Sequence, residues 1–211
     1  MSYLELTNVT KKINDETVLN DINLKIDQGK IIGFVGTNGS GKTMLFRAIL
    51  GLIKISSGQV ILKGQEVGLN TERQVNVGAI IETPGFIKSY TALKNLQYLA
   101  SIKNIVGKDE IIAAMKVFDL EKVKDKKVKK FSLGMRQKLA IVQAFMEKQE
   151  LLVLDEPTNG LDKESVQIFE NLMKQLRARG VTVLLASHDD RVIKSVADEY
   201  YQIDGGKIVS D

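Results

Sequence analysis

The strongest structural signal in this chain is the glycine-rich segment Gly36-Thr37-Asn38-Gly39-Ser40-Gly41-Lys42-Thr43. It fits the phosphate-binding pattern G-x-x-x-x-G-K-S/T, in which glycines let backbone N–H groups converge on phosphate oxygens. A short apolar run of buried-strand type at residues 31–35 precedes the loop, and a segment of helical composition at 44–50 follows it. The pattern requires this order of strand, loop and helix, so the sequence predicts a nucleoside triphosphate site.

Different residues of the loop are expected to contact different parts of a bound triphosphate and its metal ion. We expect Lys42 to reach the β- and γ-phosphates and Thr43 to bind Mg²⁺ through its hydroxyl. The positive end of the following helix adds a further attraction for anions. The predicted nucleotide contacts of the loop are Gly36, Thr37, Asn38, Gly39, Ser40, Gly41, Lys42 and Thr43.

Composition limits what else the chain can be. Its 211 residues suit a single α/β domain spanning 1–211, and the absence of cysteine excludes disulfides, thiolate metal sites and a cysteine nucleophile. No apolar segment approaches the roughly 18 residues that span a bilayer, so we expect a soluble, cytoplasmic chain. The net charge is +4, and six lysines fall between residues 122 and 130. A solvated face is the plainer interpretation of that cluster, with anionic lipid, nucleic acid or an acidic partner as alternatives.

Apolar patterning predicts the order of the secondary structure. Strands are expected at residues 3–9, 16–19, 22–26, 31–35, 59–63, 77–81, 151–154 and 181–186. Helical patterning covers 91–119, where Leu93, Leu96, Leu99 and Ile102 form one predicted stripe, and it returns at 166–176. This alternation favours an α/β fold with a P-loop core, a mainly parallel sheet, an N-terminal antiparallel β part and a helical subdomain inserted at about 86–145.

A second motif, which is acidic, has the composition expected beside a phosphate loop. Residues 151–154 are apolar and lead directly into Asp155 and Glu156, as expected of a buried strand that emerges beside bound phosphates. We expect Asp155 to hold the metal and Glu156 to polarise the attacking water or accept its proton. An apolar run before two acids is common at strand ends, so this prediction depends on its pairing with the loop.

Three further segments complete an ordered set of five motifs: Phe131-Ser132-Leu133-Gly134-Met135-Arg136-Gln137, Asn159-Gly160-Leu161-Asp162 and Ser187-His188-Asp189. With these, nearly the whole chain resembles the ATP-binding cassette (ABC) family. The resemblance implies ATP and Mg²⁺ as cofactors and ATP hydrolysis as the activity. It also implies catalytic roles for Glu156, His188 and Lys42.

The resemblance assigns roles to residues that have simpler interpretations. Ser132 and Gly134 belong to the signature motif, which faces the γ-phosphate held by the other subunit, although Ser132 is also a plausible helix N-cap. His188 is implied to bind the γ-phosphate and to align Glu156 with water, although a single histidine after a buried strand is usually structural. Asp162 is implied to cross the dimer interface and could equally cap a helix.

Two positions depart from the common pattern of the family. Glu82 stands where most members carry glutamine, and its surroundings resemble the branch that exports bacitracin or lantibiotics and confers immunity to them. We therefore add Glu82 to the expected Mg²⁺ ligands, beside Thr43 and Asp155. Alignment of residues 8–14 adds Thr10 and Ile13 to the nucleotide contacts, with Ile13 where an aromatic ring normally stacks on adenine. We expect weak base discrimination.

One phosphate loop and one signature motif cannot complete a site if the signature approaches a neighbour's ATP. The resemblance thus implies a head-to-tail dimer, either a homodimer or a pair with a second ABC subunit, attached to separate transmembrane permease subunits on the inner face of the membrane. The predicted function is the ATPase subunit of a transporter, with export favoured around Glu82. The alternative is a soluble ABC ATPase in regulation, assembly or nucleic-acid maintenance, although we do not expect nucleic acid as a partner.

Overall fold

The computed structural model describes residues 2–69, 71, 75–82 and 85–209. Within these residues the strands are Leu4–Ile13 (β1), Glu16–Ile26 (β2), Ile31–Val35 (β3), Ser57–Leu62 (β4), Gln65–Glu66 (β5), Val77–Ile80 (β6), Leu151–Asp155 (β7), Thr182–Ser187 (β8), Glu199–Asp204 (β9) and Lys207–Val209 (β10). They form two sheets. One is antiparallel, in the order β2-β1-β4-β5, and the other has the order β10-β9-β3-β8-β7-β6.

The larger sheet is mainly parallel, because every neighbouring pair except β10 and β9 runs in the same direction. The helices that accompany the two sheets are Lys42–Ile49 (α1), Ala92–Lys103 (α2), Lys108–Lys116 (α3), Leu133–Phe145 (α4), Lys163–Ala178 (α5) and Asp190–Val196 (α6). Helices α2, α3 and α4 follow one another between β6 and β7. The predicted fold class, with its parallel core and N-terminal antiparallel part, is confirmed.

The central strands are buried on both faces, which explains their uninterrupted apolar sequence. Every residue of β7 and β8 is buried. In β7, Leu152 and Leu154 join a core formed largely with α2 to α6, whereas Leu151 and Val153 join a second core formed with α1 and the antiparallel sheet. Successive side chains of a strand point to opposite faces, so β7 contributes side chains to both cores.

Two details of the sequence prediction were wrong. The segments predicted at 16–19 and 22–26 are one continuous strand, β2, since Asp21 adopts a left-handed φ of 54° without ending the strand. The stripe predicted on α2 also fails at its end, because Ile102 is 73% exposed. A spacing of three residues drifts around a helix with 3.6 residues per turn, so the buried apolar residues are Ala92, Leu93, Leu96 and Ala100.

None of the helices in the described part of the chain is both long and apolar enough to cross a bilayer.

We predict that Gly78→Ala destabilises the fold by about 2 kcal/mol or more, because overpacking against backbone is poorly relieved. Strand β6 packs closely on α4 at this glycine, where an added Cβ would lie 1.8 Å from the carbonyl oxygen of Ala144. The matched control is Gly85→Ala, where an added Cβ meets nothing within 4 Å and should change stability by less than about 0.5 kcal/mol. Urea denaturation measures both. Equal midpoints for the two variants would contradict the packing account.

Candidate functional site

The phosphate loop connects β3 to α1 and depends on glycine at two points. Gly41, the residue before α1, has a φ of 113°, a conformation that side chains disfavour. At Gly36 an added Cβ would lie 2.3 Å from the carbonyl oxygen of Ile203. The loop is thereby held close against β9, and α1 begins at Lys42 with its free N–H groups directed at the loop.

Lys42 is a buried lysine whose ammonium is enclosed by the loop. Its Nζ donates to the carbonyl oxygens of Gly36 at 2.6 Å and Thr37 at 2.9 Å. Buried ammonium groups are costly unless hydrogen bonds compensate them. The loop therefore fixes one positive charge beside the N-terminus of α1.

Thr43 and Asp155 meet across the gap between α1 and β7. The Thr43 hydroxyl donates to Oδ2 of Asp155 at 2.5 Å, and Asp155 is only 7% exposed. Burial raises the pKa of the Asp155 carboxyl above its ordinary value, and the negative charges of Glu156 and Glu82 act in the same direction. The hydrogen bond from Thr43 and the charge of Lys42 oppose this shift. Thr43 and Asp155 thus offer two oxygen atoms as possible metal ligands, beside the positive charge of the Lys42 ammonium.

Glu156 and His188 form a second pair at the same edge of the sheet. Nδ1 of His188 lies 2.8 Å from Oε2 of Glu156, and the Ser187 hydroxyl donates weakly to that oxygen at 3.5 Å. Glu156 has a left-handed φ of 50°, and its N–H donates to the carbonyl of Ala186 on β8. Among the described residues, its buried Oε1 has no hydrogen-bond partner. One carboxylate oxygen is therefore held by histidine and the other can still accept a proton.

These groups converge because of strand register. Val35, Asp155 and Ser187 are the last residues of β3, β7 and β8, which are neighbouring parallel strands. The carboxyl ends of parallel strands meet at one edge of a sheet, the usual position of ligand sites in α/β folds. The sequence prediction that the two acids emerge beside the phosphate loop therefore agrees with the geometry.

A cavity of about 490 Å³ lies over this edge. It is lined by predicted site residues, namely Asn38, Gly39, Ser40, Gly41, Lys42, Thr43, Glu82, Asp155 and Glu156. Its other walls come from residues that were not predicted as contacts, although four of them belong to the motif segments at 131–137 and 159–162: Glu16, Thr17, Val18, Met44, Leu133, Arg136, Gln137, Asn159, Gly205 and Gly206. Gly205 and Gly206 form the turn between β9 and β10, and no local sequence pattern indicates that this turn lies beside the phosphate loop.

Gln137 is the most informative of the missed residues. It is buried on α4, and its Nε2 donates to the carbonyl oxygens of Pro157 at 2.8 Å and Glu156 at 3.4 Å. The helix that follows Ser132 is thereby hydrogen-bonded to the chain directly after the acidic pair. Sequence alone could not reveal this contact, because glutamine in a helix is usually a solvated residue.

The predicted signature residues lie outside this cavity. Ser132 is the N-cap of α4, where its hydroxyl accepts from the N–H of Met135 at 3.2 Å. Gly134 lies against the neighbouring loop, since an added Cβ would be 2.8 Å from the carbonyl oxygen of Gly160. The simpler interpretation of Ser132 as a helix cap therefore fits the structure, and a cap leaves other N–H groups at the helix end unpaired.

Asp162 is likewise an N-cap, for α5. Its Oδ1 accepts from the N–H of Ser165 at 2.8 Å and from the Ser165 hydroxyl at 2.6 Å. These hydrogen bonds hold the pKa of the Asp162 carboxyl below its ordinary value. The other carboxylate oxygen lies 3.9 Å from the ammonium of Lys138.

Three predicted contacts lie at or beyond the rim. Glu82 lines the cavity, but its side chain is 62% exposed and forms an ion pair with Arg47 at 2.6 Å. Thr10 and Ile13 on β1 do not line the cavity. The Thr10 hydroxyl accepts from the N–H of Asp21 at 3.1 Å, and Ile13 is 44% exposed opposite Glu16, which does line it. The expected weak base discrimination stays a prediction.

Comparison with known proteins agrees with this geometry. Residues 19–159 match the family described as ABC transporter. The chain is 39% identical to the ABC transporter ATP-binding protein YybJ of Bacillus subtilis over 97% of its own length and 94% of that protein. It is 37% identical to the bacitracin transport ATP-binding protein BcrA of Bacillus licheniformis, over its whole length and 69% of that protein. It is 32% identical to the lantibiotic transport ATP-binding protein SrtF of Streptococcus pyogenes over 98% of its length and 89% of that protein.

Solved structures show the same fold. An ATP-binding subunit of an ABC transporter superposes with a TM-score of 0.89 at 26% identity, over 99% of this chain and 89% of that one. A dimeric ATP-binding cassette in a post-hydrolysis state, bound to ADP and Pi, gives a TM-score of 0.90 at 24% identity, over 98% of this chain and 97% of that one. Fold, site and relatives agree, and the chain belongs to the ABC transporter family as an ATP-binding cassette.

Proposed function

We propose that this chain is the ATP-hydrolysing subunit of an exporter, with bacitracin-like or lantibiotic-like peptides as the substrate class. One observation carries the hydrolytic part of the proposal. Two pairs, Thr43 with Asp155 and Glu156 with His188, lie at the same edge of the sheet as Lys42 and the phosphate loop. The substrate class is supported by similarity to BcrA and SrtF.

The donor set at this edge fits Mg²⁺. Thr43 and Asp155 present a hydroxyl and a carboxylate, and Mg²⁺ prefers oxygen ligands, few of them from protein and the rest from phosphates and water. No group of three or more histidine, cysteine or acidic side chains in the described residues forms a metal cage, which suits such a shared site. When bound, Mg²⁺ would neutralise charge that develops on the phosphates. Thr43 and Asp155 would hold it, and Glu82 at the rim is a further candidate ligand.

Lys42 and the start of α1 would bind the phosphates. The Lys42 ammonium now donates to two loop carbonyls, and phosphate oxygens are stronger, charged acceptors within its reach. The N–H groups at the start of α1 and the loop glycines add donors that need no rearrangement. This part of the site would orient the triphosphate and stabilise charge on its γ-phosphate.

Glu156 would act on the attacking water. Its unpartnered Oε1 can accept the proton, while His188 holds Oε2 and keeps the carboxylate in a fixed orientation. The Ala186 carbonyl, which accepts from the Glu156 N–H, fixes the backbone of this residue against β8. The side chain of His188 is 57% exposed, and it would also contact the γ-phosphate.

A second subunit would complete the site. Ser132, Gly134 and Asp162 do not line the cavity of their own chain, and Ser132 lies at a helix N-terminus suited to an anion. A head-to-tail dimer, either of two identical chains or with another ABC subunit, would bring them to the neighbour's phosphate loop. Dimeric cassettes among the structural relatives support this arrangement.

The chain would work at the inner face of the cell membrane through separate permease subunits. We propose that residues 1–211 act as one nucleotide-binding domain, in which the helical subdomain at about 86–145 transmits closure and opening of the dimer to the permease. Glu82 and Phe86 lie between β6 and α2 and would couple the two parts. The similarity to transport ATP-binding proteins does not favour the alternative of a soluble regulatory or nucleic-acid ATPase.

We predict that Glu156→Gln lowers the ATPase rate by about a hundredfold or more, since a neutral amide is far too weak a base to accept the proton. ATP binding should persist, because the loop, Lys42 and Thr43 are unchanged. A phosphate-release assay and nucleotide titration measure the two quantities, and gel filtration should show an ATP-dependent dimer that accumulates. Glu164→Gln, an exposed acid in the first turn of α5, is the matched control and should retain full activity. A Glu156→Gln chain that hydrolyses ATP normally would refute the proposed base.

We predict opposite effects for the two members of the rim ion pair. Glu82→Gln should raise the Mg²⁺ concentration that gives half-maximal ATPase activity by a few-fold, because a carboxylate binds Mg²⁺ more strongly than an amide. Arg47→Gln should lower that concentration, because it frees the Glu82 carboxylate. Mg²⁺ titrations of both variants test the hypothesis. Unchanged Mg²⁺ dependence in both would show that Glu82 is not a metal ligand.

A further inference from the structure

An exposed basic ribbon forms where the helical region begins. Residues 88–93 and 124–130 run side by side, joined by backbone hydrogen bonds from Val128 to Tyr90 at 2.9 Å, from Lys129 to Lys88 at 3.0 Å and from Ala92 to Lys126 at 3.1 Å. This contact brings together lysines that are distant in sequence. We call the following exposed residues the lysine ribbon: Lys88, Lys94, Lys126, Lys127, Lys129 and Lys130.

The ribbon carries charge that the protein leaves largely uncompensated. Its six lysines make no ion pair with a described acidic side chain, whereas the nearby Lys122 and Lys124 are paired with Asp119 and Asp125. Residues 86–145 contain thirteen lysines and arginines but five acids, a net charge of +8, so the rest of the chain carries −4. Such asymmetry within one chain indicates an anionic partner for the helical region.

Exposed apolar side chains continue the same surface. On α2, Tyr98 and Ile102 follow Lys94 at intervals of four residues, which places the three side chains on one side of the helix. Tyr98 is 56% exposed, Ile102 is highly exposed, and Ile105 lies just beyond the helix. The ammonium of Lys94 also lies 4.2 Å from the centre of the Tyr90 ring. The surface therefore combines positive charge with aromatic and aliphatic groups.

We infer that the lysine ribbon and the adjoining Tyr98 and Ile102 bind the anionic surface of a phospholipid membrane directly. Lysine is a mobile point charge suited to a diffuse anionic surface, and the ribbon contains no arginine, whose rigid fork suits single carboxylates or bases. A tyrosine and an isoleucine beside lysines fit the boundary between headgroups and acyl chains, and they have no such use in binding a nucleic-acid backbone. The inference rests on the proposed membrane location only in that a permease would hold the ribbon near lipid.

The test is flotation of the 211-residue chain with vesicles of phosphatidylcholine, with and without about one third phosphatidylglycerol. Binding should require the anionic lipid and weaken as salt rises, because salt screens the attraction between lysines and anionic headgroups. Each lysine near the surface should raise the partition coefficient about fivefold, the ratio that corresponds to about 1 kcal/mol. Changing four ribbon lysines, Lys126, Lys127, Lys129 and Lys130, to glutamine should lower the partition coefficient by at least about a hundredfold. Tyr98→Gln with Ile102→Gln should remove the part of binding that persists at high salt.

The matched control changes four exposed lysines outside the helical region to glutamine: Lys54, Lys148, Lys174 and Lys207. It removes the same total charge and should keep most of the vesicle binding. Melting temperatures of all variants verify folding. They should change little, since none of these lysines forms an ion pair in the described structure. An equal loss in control and ribbon variants would overturn the inference in favour of an unspecific charge effect.

Two other outcomes would also overturn it. One is equal binding to vesicles with and without phosphatidylglycerol. The other is tighter binding to a DNA or RNA oligonucleotide than to the vesicles in direct competition, which would assign the ribbon to nucleic acid. ATPase activity, measured on the same preparations without lipid, separates this result from the proposed function, because none of the ribbon lysines lines the cavity over the phosphate loop and the ribbon variants should therefore keep their ATPase rate.

Discussion

The parallel pairing of β3, β8 and β7 is the constraint on which the rest of the structure depends. It brings the end of the strand that leads into the phosphate loop, the two acids at the end of β7 and the histidine after β8 to one edge of the sheet. No two of these motifs are close in sequence. Because both faces of the sheet are buried in separate cores, the register of these strands is strongly specified and so is the spacing of the site.

The negative charges at this edge of the sheet are only partly compensated by positively charged side chains of the chain. Asp155 is buried, two further acids act on it, and Lys42 is the buried cation that offsets them. A triphosphate alone would add negative charge, and the divalent cation that we propose at Thr43 and Asp155 would balance it. The same reasoning explains why Glu82 at the rim is compensated by Arg47 in this structure.

Much of the fold could be predicted because the signals were local. The strand before the phosphate loop, the apolar runs of β7 and β8 and the phosphate loop itself all follow from local sequence patterns. Most of what the sequence did not predict involves contacts between distant segments. The hydrogen bonds of Gln137 to the chain after β7, the approach of Gly205 and Gly206 to the phosphate loop and the pairing of Glu82 with Arg47 have no local signature. Ile102 was misplaced because a spacing of three residues approximates the helical repeat over only two turns.

We propose that each chain holds half of a composite ATP site, and mixing two inactive variants distinguishes such a site from one that is complete within a single chain. Lys42→Ala removes the phosphate contact of one half, and Ser132→Arg blocks the signature end of the other. Each variant alone should be inactive, but an equimolar mixture should regain about a quarter of the wild-type ATPase rate, since half of the dimers would carry one intact site of two. A mixture as inactive as its components, or full activity of Ser132→Arg alone, would contradict the composite site.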